Sequence, residues 1–409
     1  LIPRLETPQP GRKVLLLEKI HSDAARRFRE AGYEVEEVPS SLSEEELAER
    51  LAEVAVLGIR SKTHLTRKAI EAAPHLQAVG AFCIGTNQID LDACLDQGVA
   101  VFNAPFANTR SVVEMALGEI IALSRDLFLK SQQLHGGVWN KSAKEAREIR
   151  GKRLGIIGYG NIGAQLSVVA EAVGMEVRYY DIAEKLALGN ARSCRTLREL
   201  LETSDVVSIH VDGSPENRNI FGKRELDQMK PGSLLINLSR GFVVDLDALR
   251  EALDSGHLRG AAIDVFPEEP KADGSSFESP LQGLPNVIMT PHIGGSTQEA
   301  QENIGGFVPD KLLDYMEKGN TMLSVNFPTL QLPELSGLHR VAHVHRNVPG
   351  ILARINQLMA SRGINIHGQY LKTNERIGYV ITDIGRDYNE GLLEELREIP
   401  ETIRVRVLY

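Results

Sequence analysis

The stretch Gly151–Gln165 reads GKRLGIIGYGNIGAQ, and its glycines decide the fold. Gly158, Gly160 and Gly163 form G-x-G-x-x-G directly after the apolar run LGII and directly before the helix-like run AQLSVVAEAVG. A bare match is weak, because glycines also make ordinary turns; a strand before it and a helix after it supply the context that gives it meaning. The first glycine permits a tight turn, the second lets the backbone approach a pyrophosphate, and the third lets helix and strand pack closely. Amides at the helix N-terminus then face the phosphates. Asp181 ends the next strand-like run, RYYDI, where a carboxylate can accept both adenosine-ribose hydroxyls. Since an acid there repels a 2′-phosphate, the pattern selects NAD over NADP.

Working outward, KVLLLE, YEVEEV, VAVLGI and LQAVGAF read as strands separated by helical segments. This alternation implies a parallel sheet covered on both faces. NTRSVVEMALGEIIALSRDLF predicts one long buried helix, opened by a capping box of Ser111 and Glu114. RLGII, EVRYYDI, VVSIHV, SLLINLS, GAAIDVF and NVIMTP then spell a second doubly wound unit. Beyond a proline-bearing linker, the remaining segments read β-α-β-β-α-β, the ferredoxin-like split βαβ. The expected division is a first α/β domain over 1–107 completed by 296–330, a dinucleotide domain over 108–295, a linker over 331–338 and a small α+β domain over 339–409. The dinucleotide domain is thus inserted into the first, which explains why its glycines come so late; a cleft between the two is where the reaction is expected.

A formal charge of −9 argues against non-specific nucleic-acid binding, which needs a basic surface. Three cysteines, Cys83, Cys94 and Cys194, cannot all pair and lack Cys-x-x-Cys spacing, so they predict buried, inert thiols in a reducing cytoplasm and no metal site. The opening LIPRLETPQPGRK does not read as a signal peptide, and no apolar run reaches the roughly 20 residues that span a bilayer.

Three strand-like runs of the second unit end in polar residues: LLINLSRG with Arg240, AAIDVFPEEP with Asp264 and Glu269, and VIMTPHIGGST with His292. Taking a hydride from a secondary alcohol requires that the hydroxyl proton leave too, and an imidazole is a base of suitable pKa. His292 is therefore the candidate base, Glu269 its partner, and Arg240 the group that grips a substrate carboxylate. Each also has a bland reading, as a structural hydrogen-bonder, a solvated loop acid or a surface ion pair. In the first unit Arg60, Ser61 and Lys62 follow a strand; Asn108 precedes the long helix and Lys141 follows it. A solvated basic edge explains these as well as a cleft does.

GIIGYGNIG, INLSRGFVVD, AAIDVFPEEP and TPHIGGSTQEAQENIG resemble the D-isomer-specific 2-hydroxyacid dehydrogenases. With RSKTHLT, FCIGTNQIDLDA and FNAPFANTRSV, the resemblance narrows to the branch that acts on 3-phosphoglycerate and carries a C-terminal ACT domain. It implies NAD-dependent oxidation of 3-phosphoglycerate to 3-phosphohydroxypyruvate, the entry to serine synthesis, with reduction of 2-oxoglutarate as a side activity. By motif, Arg240, Glu269 and His292 take the catalytic roles. Gly158, Gly160, Asn161, Ile162, Gly163, Asp181, Leu238, Ser239, Arg240, Asp264, His292, Ile293, Gly294 and Gly295 line NAD. Arg60, Ser61, Lys62, Asn108 and Lys141 hold the substrate carboxylate and phosphate. The resemblance further implies a homo-oligomer, a tetramer, in which His345, Asn347 and Asn365 bind L-serine across a dimer interface.

Two positions depart from the family pattern. Lys62 replaces an arginine, a point charge for a bidentate fork, and Ser336-Gly337 replaces a Gly-Gly hinge. Trp139 reads equally as a subunit anchor or a core residue. The competing readings are a glyoxylate or hydroxypyruvate reductase and a non-catalytic, NAD-sensing binding protein of the same fold.

Overall fold

The computed structural model describes residues 12–270, 274–334, 338–385 and 391–408. Two compact units divide the chain, one of Leu1–Pro105 with Gln301–Tyr409, the other of Phe106–Ala300. The Ser336-Gly337 pair lies outside the described residues.

In the first unit β1 (Lys13–Leu17), β2 (Glu34–Val38), β3 (Val54–Ile59), β4 (Ala78–Ala81) and β5 (Ala100–Asn103) form a parallel sheet in the order β2-β1-β3-β4-β5. β3 and β4 are buried at every residue, as strands covered by helices on both faces must be. The helix Gln298–Lys318 packs so closely on β4 that a Cβ on Gly80 would meet Leu312 and Val308 at 2.7 Å. β5 was not among the expected strands. Its four residues run into a proline, and its outer edge is satisfied by an irregular segment: Asn326 accepts from Val101 N–H at 2.9 Å and donates to Val99 C=O at 2.9 Å.

The second unit holds β6 (Arg153–Ile157), β7 (Glu176–Tyr180), β8 (Arg192–Ser193), β9 (Val206–Ile209), β10 (Ser233–Asn237), β11 (Leu258–Ile263) and β12 (Val287–Met289). All pair in parallel, in the order β12-β11-β10-β9-β6-β7-β8. The order reverses between β6 and β9, and ligands of such sheets bind at the carboxyl ends flanking that switch point.

The long helix departs from expectation at both ends. It runs Thr109–Arg125 with Asn108 as its N-cap, so Ser111 lies inside the first turn; the Ser111 hydroxyl bonds that of Thr297 at 2.8 Å and Glu114 pairs with Arg110 at 2.6 Å. There is no capping box. Asp126 then takes a left-handed conformation, φ 52°, and a second helix, Leu127–His135, follows. Arg259 drives the break by donating to the C=O groups of Leu123 and Ser124 and to Asp126, each at 3.2 Å.

β13 (His339–Arg346), β14 (Ile366–Thr373), β15 (Ile377–Ile384) and β16 (Thr402–Leu408) form an antiparallel sheet in the order β14-β15-β13-β16, with helices Ile351–Ser361 and Gly391–Glu398. This is the split βαβ read from the sequence, and it belongs to the first compact unit.

Candidate active site

At the carboxyl end of β6, Gly158 sits at φ +87°, and a Cβ there would lie 2.4 Å from His210 C=O on the neighbouring strand end. Gly163 is equally constrained: its Cβ would approach Gly158 C=O to 2.3 Å. Gly160 differs, because a Cβ there meets open space. It begins the helix Asn161–Ala172, and no side chain caps that end. The amides of Asn161, Ile162 and Gly163 thus head an uncapped helix beside an open cradle, an arrangement that fits a pyrophosphate. Asp181 is oriented by Tyr159 N–H at 2.8 Å and Ala183 N–H at 2.9 Å, each bond using one lone pair of a different oxygen. The remaining lone pairs suit two ribose hydroxyls.

Behind the loop after β12 stands Asp264, almost wholly buried, whose carboxylate accepts from Thr290 Oγ1 at 2.6 Å, Ile293 N–H at 2.9 Å and Gly294 N–H at 2.8 Å. Its backbone C=O takes the His292 N–H at 2.7 Å. Held on both sides, His292 adopts φ 54°, a left-handed conformation uncommon for a side chain of this size. Its ring Nδ1 bonds Glu269 Oε2 at 2.8 Å, while Glu269 Oε1 accepts from Phe266 N–H at 3.0 Å. The bond to Glu269 raises the His292 pKa, working against burial. Burial alone would raise the Glu269 carboxyl, but the His292 bond and charge, the Phe266 amide and Arg240 outweigh it and hold the group below the ordinary carboxylate range. Arg240, at the end of β10, is near enough for its charge to act on both. With Nδ1 committed to Glu269, Nε2 is the nitrogen left to exchange a proton.

The β10 turn is built by a residue the sequence reading did not single out. Asn237, fully buried, accepts from the N–H and hydroxyl of Ser239 at 3.1 and 2.7 Å and donates to Arg240 C=O at 3.2 Å. It fixes Leu238, Ser239 and Arg240 as one turn. Thr290 was missed likewise, since its contact with Asp264 joins two strand ends. Asn108 packs over the same loop: a Cβ on Gly295 would fall 2.1 Å from its Nδ2, and its Oδ1 is buried without a hydrogen-bond partner.

In the first unit, Arg60 is half-buried and Ser61 and Lys62 are exposed on the loop after β3. Lys141 is exposed beyond the helix Leu127–His135, in the stretch that carries Trp139. Trp139 is 78 % exposed, which overturns its core reading. His343 and His345 are buried on β13; their rings lie 5.7 Å apart, and His343 Nδ1 and His345 Nε2 lack partners. Asn347 donates to Asn374 C=O at 2.7 Å beyond the same strand end. Asn365 is not brought to them. It precedes β14 beside Ile366, which pairs with Ile384 opposite His339, at the other end of the sheet. Cys94 and Cys194 are buried and Cys83 is partly so; burial pushes the Cys94 thiol up to about 12. Among the described residues, no group of three His, Cys, Asp or Glu could hold a metal, and no helix is long and apolar enough to cross a membrane.

A doubly wound sheet with a dinucleotide turn, and a histidine–carboxylate pair beside an arginine at the strand ends, defines a dehydrogenase site. Residues 117–294 match the family model of the D-isomer specific 2-hydroxyacid dehydrogenase NAD binding domain, and residues 341–404 match an acetohydroxyacid-synthase small-subunit-like ACT domain. The chain belongs to the D-isomer-specific 2-hydroxyacid dehydrogenase family. Within it, the chain is 52 % identical over 398 residues to the D-3-phosphoglycerate dehydrogenase of Haemophilus influenzae, covering 97 % of both chains. The enzyme of that name from Dictyostelium discoideum is 47 % identical, with each chain covered in full. Among solved structures, D-2-hydroxyisocaproate dehydrogenase superposes with a TM-score of 0.70 at 26 % identity, covering 77 % of this chain and all of that one. The D-lactate dehydrogenase of Aquifex aeolicus, solved with NAD and lactic acid, gives 0.67 at 26 % identity over 77 % of this chain and all of its own.

Proposed function

We propose that the chain oxidises 3-phospho-D-glycerate to 3-phosphohydroxypyruvate with NAD, the first step toward L-serine. The observation that carries this reading is the His292–Glu269 pair, bonded at 2.8 Å within the field of Arg240 at the carboxyl ends of the dinucleotide-binding strands. NAD, when bound, supplies the acceptor for the hydride. His292 Nε2 takes the hydroxyl proton, Glu269 stabilises the imidazolium that results, and Arg240 holds the substrate carboxylate and polarises the carbonyl in reverse. Gly158, Gly160 and the Asn161–Gly163 amides receive the pyrophosphate, and Asp181 the adenosine ribose. Leu238, Ser239 and Ile293–Gly295 complete the cofactor wall, with Asp264 positioning that wall from behind. Arg60, Ser61, Lys62 and Lys141 receive the anionic groups of the substrate, and Asn108 adds the Nδ2 donor of its amide.

The reading extends to a homotetramer. Exposed Leu127, Phe128, Leu134, Val138 and Trp139 form an apolar arm, which supports self-association through it. L-Serine bound between the ACT domains of two chains slows turnover, and the separation of Asn365 from His345 within one chain supports a site that needs two. A cytoplasmic location agrees with three cysteines that form no disulfide.

The test follows NADH absorbance with 3-phosphohydroxypyruvate, glyoxylate and 2-oxoglutarate in parallel, with and without L-serine. Phosphohydroxypyruvate should give the highest kcat/KM, and millimolar serine should slow it. Faster turnover of glyoxylate or 2-oxoglutarate would reassign the substrate, and no oxidation of NADH by any of the three would defeat the dehydrogenase reading.

A further inference from the structure

The loop after β3 is held in shape by a side chain that reaches it from another strand. Glu18, just beyond β1, is buried, and its carboxylate accepts three amides of that loop: Arg60 N–H at 3.2 Å, Lys62 N–H at 2.9 Å and Thr63 N–H at 2.8 Å. The opposite face of the same peptide run is fixed by Gln88, also buried, which donates to Arg60 C=O at 2.7 Å. Glu18 and Lys19 both adopt left-handed conformations, φ 65° and 50°, and Glu18 N–H bonds Val38 C=O at 3.0 Å. Two successive non-glycine residues at positive φ and a buried carboxylate are each unfavourable. Three hydrogen bonds to a charged acceptor offset them.

Converging backbone amides make a concavity that binds anions. Here the anion is the protein's own. The amides of Arg60, Lys62 and Thr63 are therefore committed, and an incoming phosphate or carboxylate meets the side chains and the remaining Ser61 N–H. We propose that Glu18 is a positioning residue for substrate binding: its buried carboxylate fixes the 60–63 loop so that Arg60, Ser61 and Lys62 meet the anionic substrate in one arrangement. This rests on the assignment of that loop to substrate, made above.

The experiment compares the full-length wild type with Glu18→Gln, Glu18→Asp and Arg60→Ala, using NADH and 3-phosphohydroxypyruvate. Glu18→Gln keeps the size of the side chain but removes its charge and turns an NH2 toward an amide of the loop. It should raise KM about tenfold, the loss of one charge-assisted bond, with kcat within about twofold and the Kd for NADH unchanged. Glu18→Asp, one methylene short but still anionic, should raise KM in the same direction by about threefold, and it keeps the question open should the glutamine variant fail to fold. A purely structural role would lower the melting temperature and the yield of active enzyme while leaving the KM of the surviving enzyme as it was. Arg60→Ala is the reference. If it raises KM and neither Glu18 variant does, the positioning role is overturned. If Arg60→Ala itself leaves KM unchanged, the substrate assignment of the loop is overturned, and the proposal with it.

Discussion

In the proposed mechanism, the hydrogen bond with Glu269 sets when the His292 imidazole can accept a proton. Oxidation needs His292 neutral, so its rate should rise with pH through the His292 pKa; reduction needs the imidazolium and should fall through the same value. Because the Glu269 bond raises that pKa, replacing Glu269 by Gln should shift both limbs to lower pH. The maximal rate should also fall, by about 10²–10⁴-fold, as the imidazolium loses its counter-charge. Steady-state rates in both directions between pH 5 and 10 check this, and limbs that stay in place would show that Glu269 does not tune the ring. His292→Ala should remove turnover to a similar extent and leave the Kd for NADH within about threefold, measured by nucleotide fluorescence. Arg240, Glu269 and His292 could be singled out as candidates because each follows an apolar strand by a few positions, where an α/β sheet places its ligands. Glu18, Asn237 and Thr290 were not, because nothing in a single sequence marks which distant amide or carboxylate a buried polar side chain will meet.

The helix Thr109–Arg125 shows what burial does to a charged residue in a regular element. Glu119 is buried, neither carboxylate oxygen has a partner, and burial, with the charge of Asp264, pushes its pKa up to about 8. The folded chain thus keeps a proton that the unfolded chain releases near pH 4.5. Stability is unaffected below the unfolded value, falls as pH rises above it, and stops falling once the folded pKa is passed. Glu119→Gln removes the ionisation and should flatten that slope, gaining on the order of 3 kcal/mol relative to wild type at pH 7 and nothing at pH 4. Urea unfolding at both pH values measures it; equal shifts at both would assign the effect to packing. The helix was foreseen from its apolar pattern, but its ends were not. The Ser111–Glu114 spacing mimics a capping box that the earlier start at Thr109 rules out, and the break at Asp126 is imposed by Arg259, more than 130 positions away. β8 escaped for another reason, since two residues are too short for a period to register.

On the scale of the molecule, the alternation of strands and helices made all three sheets legible, but not that the C-terminal sheet joins the first α/β sheet in one compact unit. Much of that union is polar or aromatic, so hydropathy gives little sign of it. Arg406 donates to Gln77 at 2.6 Å and to Tyr315 C=O at 3.2 Å and lies over the Tyr315 ring; Arg404 reaches Leu76 C=O; and Tyr379 donates to Gly319 C=O at 2.9 Å. At its centre Arg340, fully buried, forms two bonds with Asp383 at 2.7 and 2.9 Å and donates to Lys318 C=O at 3.0 Å and Pro333 C=O at 3.3 Å. One guanidinium therefore ties β13 to β15 and to the chain leaving the helix Gln298–Lys318. Arg340→Ala should cost about 3–5 kcal/mol, because it strands the Asp383 carboxylate in a dry site and orphans two carbonyls. Replacing both partners, Arg340→Met with Asp383→Leu, removes the stranded charge and should recover more than half of that loss, though not the carbonyl bonds. Urea denaturation of the full-length chain, monitored by far-ultraviolet circular dichroism, distinguishes the outcomes. A cost below about 1 kcal/mol for the single variant would mean that water reaches the site and that the pair contributes no more than an exposed one.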